Sequence, residues 1–305
     1  METDAVAGPQ RAYKLACRLA DQMRPLGRTA IARADWALAH TQFWRGQFEQ
    51  SRALLAAINI QALTPENSAG TRLELLIPAQ LSWTYAALGE VEAALAQAQQ
   101  ALNWAQENRE EHHLATAWVY LGLLNCMLDQ PTDTLAWSRL AHSATCHSAA
   151  SNSAGFNQTQ IQTQASQRHT ATLLEYWALS RLGDSADEPR AQAALSGLRS
   201  LGRAHEARGF SLYAQAAFQQ SPRHAQTQLD AALDLNARCG LHHWEARLLR
   251  MKSSSLDAAG QLTEASRFLK LAQEIAQRQN ARLFLIEITG LESRSNAGSY
   301  MEYTA

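Results

Sequence analysis

The chain is poor in the residues that interrupt or cross-link a fold. It holds 15 glycines and 7 prolines in 305 residues, so few positions break a helix, and no stretch alternates as a strand would. Its four cysteines, Cys17, Cys126, Cys146 and Cys239, are far apart and form no CxxC pair. That leaves no disulfide framework or thiolate zinc knuckle to read, and it fits reduced thiols in a cytoplasm. No apolar run approaches the ~18 residues of a membrane span, and the opening METDAVAGPQ lacks the apolar core of a secretory leader. A membrane partner is therefore not expected. The 27 basic and 28 acidic residues give a formal charge of −1 with no long run of either sign, so the basic footprint needed to grip nucleic acid is missing.

Motifs of chemistry are equally scarce. There is no GxxxxGK[ST] phosphate loop, no GxSxG and no HExxH. Glu74, Glu175, Glu206 and Glu287 stand alone rather than as carboxylate pairs in an apolar setting. The expectation is a protein that is not an enzyme and has no cofactor. His142, Cys146 and His147 include an i, i+4 pair that could hold zinc with a third ligand such as His169. A polar helix end running into a loop is the simpler reading, and no metal site is assigned. The pairs His112-His113 and His242-His243 precede the first helices of two hairpins and read as junctions.

What the sequence has in abundance is alanine, leucine and glutamine in helical periodicity. Leu76–Ala105 sets the pattern. Leu81, Tyr85 and Leu88 form one stripe, Gly89 breaks it, and Ala94, Ala98 and Ala101 present a face small enough for close helix packing. One such hairpin cannot bury its apolar face alone, so it has to repeat. Turn residues recur at Gly46, Gly89, Asp129, Gly183, Gln219 and Gly260, about 40 residues apart except for the step from 129 to 183. That step contains the charge-free stretch Ser148–Gln167, which reads as a loop inserted between repeats. Six helical hairpins result, spanning residues 11–291. Residues 1–10 and 292–305 read as disordered ends, Arg11–Met23 as an unpaired capping helix, and Ala281–Leu291 as a cover for the open end.

These residues resemble the tetratricopeptide repeat. Trp118, Leu121 and Gly122 match the first half of that motif; Tyr85, Gly89, Ala94 and Ala101 match the second. The last repeat offers Gly260, Ala265 and Ala272 but has Ser253 where a glycine belongs, and repeats four and five match poorly. The period exceeds the family's usual ~34 residues. Within that longer-period class, the segments Ala87–Leu124 and Leu241–Arg282 look like the C-terminal helical region of bacterial regulatory ATPases, cyclases and LuxR-type signalling proteins, and the maltose-regulon activator is similar in kind. The resemblance implies an all-α, right-handed superhelix whose first helices line a concave groove.

On that implied groove the candidate partner-binding residues are Arg33, Trp36, His40, Phe43, Trp44, Trp83 and Trp177. Trp36, Phe43, Trp83 and Trp177 would be aromatic anchors, because aromatics give large contact area at small entropic cost. Arg33 and His40 would orient the partner. Trp118 reads as core, and Trp104 as a contact between repeats. The expected function is a non-catalytic scaffold or adaptor holding a protein or peptide, in bacterial signalling or regulation. The alternative is a sensing module that binds a small effector and changes oligomeric state or a partner's activity.

Overall fold

The computed structural model describes residues 27–60, 72–151 and 158–290, with short helical pieces between 14 and 22. The expected disordered ends therefore lie outside the described residues, and of the expected capping helix Arg11–Met23 only the helical positions between 14 and 22 are described. Among the described residues the chain is helical and contains no strand. None of the helices is long and apolar enough to cross a membrane. The helices are α1 (Arg28–Trp44), α2 (Phe48–Ala56), α3 (Leu73–Ala87), α4 (Val91–Asn108), α5 (Glu111–Met127) and α6 (Pro131–Ser151). They continue with α7 (Gln158–Leu182), α8 (Glu188–Leu201), α9 (Arg203–Gln220), α10 (Gln226–Cys239), α11 (Glu245–Ala258), α12 (Leu262–Arg278) and α13 (282–290).

Five of the turn residues read from the sequence sit at helix ends in the left-handed region: Gly46, Gly89, Gly183, Gly260 and Asp129. Each end closes in the same way. After α3, Gly89 N–H donates to the Ala86 carbonyl at 2.9 Å and Glu90 N–H to the Tyr85 carbonyl at 2.8 Å. This pair of bonds satisfies carbonyls that the helix itself leaves open. Aspartate is among the few non-glycine residues that tolerate this conformation. Asp129 also receives both arms of Arg181, at 2.9 and 2.7 Å. The sixth turn falls two residues later than read: Gln219 lies within α9, and the chain turns at Ser221 into a 3-10 turn at Pro222–His224.

The charge-free stretch is not a loop over most of its length. Helix α6 runs on to Ser151, and α7 begins at Gln158. Only 152–157 lie outside the described residues. Lack of charge suggested a loop, but glutamine and alanine are good helix formers. The helix is also fixed by tertiary bonds, with the Gln167 amide donating to Thr116 Oγ1 at 2.6 Å.

Each helix packs on its neighbours in sequence. In addition α1 meets α3, α3 meets α5, α5 meets α7, α7 meets α9 and α9 meets α11. The odd-numbered helices thus form a continuous row. The row does not stay open. His242 N–H donates to the Trp44 carbonyl at 2.7 Å, and the Asn280 amide to Glu49 at 2.8 Å. Arg247, 3% exposed, pairs with Glu287 and donates to the carbonyls of Cys126 at 3.1 Å and Met127 at 2.5 Å. One apolar cluster joins Phe43, Trp83 and Leu124 from the first half to Trp244, Ile275 and Phe284 from the second. The segment expected to cover an open end instead lies against the early turns: a Cβ at Gly89 would come within 2.8 Å of Arg282 Cβ.

Candidate functional site

Closure of the row leaves a cavity of about 480 Å³, within the range of small-molecule sites. Every odd-numbered helix from α1 to α9 contributes to its wall, with α8 and Trp244 just ahead of α11. Four of the seven groove residues read from the sequence line it: Trp36, His40, Trp44 and Trp83. They meet because Trp36, His40 and Trp44 recur every four residues on α1, and α3 packs beside α1.

The other three lie elsewhere. Phe43 is 1% exposed and packed among Phe48, Trp83 and His243. Trp177 is 2% exposed in a second apolar cluster and faces a different, smaller pocket beside Arg181 and Arg250. Arg33 is half-buried and does not line the cavity. Counting back from a turn glycine locates a helical face. It does not separate the residues that reach the cavity from those that pack against the closing C-terminal helices.

Two hydrogen-bonded relays hold the polar wall. The Trp44 indole N–H can only donate, so at 2.7 Å the Nε2 of His40 must accept. The His40 proton then sits on Nδ1 and is donated to Gln80 Oε1, also at 2.7 Å. Burial, with Arg208 nearby, lowers the His40 pKa to about 4 and keeps this neutral tautomer at pH 7. Trp36 stacks on the same ring at 5.1 Å. The second relay starts at Arg208, whose Nη2 donates to His205 Nδ1 at 2.8 Å, with Ser166 Oγ 3.1 Å from that nitrogen. Burial and Arg208 likewise lower His205 to about 4. The relays meet where the Arg208 guanidinium lies 4.7 Å above the Trp44 ring.

Residues that sequence reasoning missed complete the site. Tyr120 stacks on Trp83 at 4.1 Å, and the Trp83 indole donates to the Tyr120 carbonyl at 2.9 Å. Burial raises the Tyr120 phenol to about 12, so its hydroxyl keeps its proton. Arg208 and His205 lie on α9, in the part of the chain that matches the repeat motif worst. Their i, i+3 spacing on one face, with Leu212 one turn on, is the signal that could have found them.

The metal readings fare differently. His142 and Cys146 do approach, at 3.7 Å, but Arg190 Nη2 lies 3.2 Å from His142 Nε2 and opposes a cation there. Glu110, His112 and His113 bring three possible ligand atoms within 4.8 Å of one another. All three come from a single turn at the start of α5, where the Glu110 carboxylate already sits 3.5 and 3.6 Å from the two rings. No protein-family model matches the chain, and no curated protein is similar enough to count as a relative.

Proposed function

We propose that the chain is a tetratricopeptide-like superhelix of six hairpins that acts as a non-catalytic receptor module, binding a small effector in its concave face. The regular spacing of the left-handed turns and the continuous row of odd-numbered helices support the superhelical reading. Small residues where helices approach, such as Ala94, Ala98 and Gly122, support it too. One observation carries the functional reading. The chain's own C-terminal helices close over the carbonyl ends of α1, α3 and α5, and what the odd-numbered helices enclose is a cavity of small-molecule size with a pre-organised polar wall.

Binding would act through closure. Trp44 touches the cavity on one side and, through its ring and carbonyl, His243 and His242 on the other. A ligand against Trp44 therefore bears on the joint between the first and last hairpins. Such a device suits a regulatory module in bacterial signalling, as the resemblance implies. A peptide-holding adaptor would need its anchors exposed, and three of the four expected ones, Phe43, Trp83 and Trp177, are buried.

Thermal denaturation of the purified protein with a library of small metabolites, and separately with unstructured peptides, tests this. A saturable rise in melting temperature with a small molecule, lost in Trp36→Ala or Trp44→Ala, is expected. Stabilisation by peptides alone would overturn it in favour of the adaptor.

A further inference from the structure

Among the described residues Arg208 is the only Asp, Glu, Lys or Arg side chain on the cavity wall. Its partners are the Ala204 carbonyl at 3.3 Å, the neutral His205 ring and the face of Trp44. Among the described residues no carboxylate pairs with it, and the nearest acid in sequence, Glu206, is engaged by Arg199 at 2.6 Å. Arg208 is half-buried in this wall; desolvating a guanidinium even in part without a counter-charge is costly, and natural sequences rarely accept it without a use. Here the surroundings are kept free of acids. The part of the wall built from the charge-free stretch supplies Gln162, Thr163, Ser166 and Gln167, none of which can neutralise the cation. Burial lowers Arg208 only to about 10, so it is charged at pH 7.

We propose that the cavity takes a planar aromatic monocarboxylate, its carboxylate paired with Arg208 and its ring held among Trp36, Trp44, Trp83 and Tyr120. The inference rests on the receptor reading above and assigns its ligand class. A monoanion fits because the site offers one positive charge: His40 and His205 are neutral, so a phosphate dianion would be left half-compensated. Among the described residues Nη1 of the guanidinium has no acceptor and the Tyr120 hydroxyl has no hydrogen-bond partner; both can donate to a carboxylate. Trp44, held edge-on to His40 and face-on to Arg208, gives the ring a fixed wall. Stacked Trp83 and Tyr120 give it another.

The test uses indole-3-acetate and its uncharged isostere indole-3-acetamide, measured by calorimetry and thermal denaturation on the full chain. A hexapeptide ending in tryptophan is the control for a peptide carboxyl terminus. The acid should bind wild type at least tenfold more tightly than the amide, as expected for a charge-assisted pair. Arg208→Met should raise the melting temperature of the unliganded protein, because it removes an uncompensated cation, and should bring acid and amide to the same affinity. Arg208→Lys, which keeps the charge but loses the fork, should fall between. Equal binding of acid and amide to wild type would overturn the anion assignment while leaving the receptor reading intact. Binding of neither would overturn both, and tighter binding of the hexapeptide would replace the small acid with a chain terminus. A lower melting temperature in Arg208→Met would show that the arginine is structural.

Discussion

A tryptophan indole can only donate a hydrogen bond, and that single fact fixes the protonation of His40, the direction of its bond to Gln80 and the seat of Trp44 under Arg208. The arrangement needs neutral histidine. Burial, Arg208 and His205 oppose protonation, the bond to Gln80 favours it, and among the described residues no carboxylate does. Because the His40 pKa falls from 6.5 unfolded to about 4 folded, the unfolded chain takes up protons first as pH drops. The stability this ring confers is complete above pH 6.5 and is lost progressively toward pH 4. At pH 5 the loss from His40 alone is about 2 kcal/mol, and His205 adds to it. Urea midpoints at pH 7.5 and 5.0 should differ accordingly, and His40→Gln should reduce the difference; a flat profile would contradict the assignment. Trp36, His40 and Trp44 were legible in the sequence because one helix spaces them. Arg208 and Tyr120 were not, since what joins them to that group is packing between helices distant along the chain.

At the scale of elements, turns that look alike in sequence are not equivalent. Gly89 and Gly183 both end helices with positive φ, 81° and 78°. A Cβ on Gly183 would meet nothing within 4 Å, whereas on Gly89 it would strike Arg282. Gly183→Ala should therefore cost only the left-handed strain, about 1 kcal/mol. Gly89→Ala should cost that plus an overpacking penalty of roughly 1–3 kcal/mol. Chemical denaturation of the two variants separates them, and equal losses would mean that α13 does not press on the first turns. Helix ends were readable where a glycine marks them, because backbone sterics act locally. The 158–167 helix was hidden, since its support comes from Thr116 on another helix and not from its own pattern.

For the whole molecule, what matters is that the row of helices shuts on itself. A repeat pattern dictates how each hairpin meets the next; it carries no term for the last hairpin meeting the first. That contact depends on single residues: Arg247 between Glu287 and the carbonyl end of α5, and His242 on Trp44. Without Glu287 the buried guanidinium keeps those carbonyls and the rings of Trp244 and Phe284 but no counter-charge from that residue, and breaking such a pair typically costs about 3–5 kcal/mol. Trp244, just ahead of α11, carries this joint to the cavity wall. Spin labels on exposed Gln50 of α2 and exposed Ile286 of α13, with Cys17 and Cys146 replaced by serine, report the joint directly. Pulsed dipolar spectroscopy should give one short, narrow distance distribution, broadened in Glu287→Gln. A long, broad distribution in the otherwise unaltered chain would mean an open superhelix and would contradict both the closure and the cavity built on it.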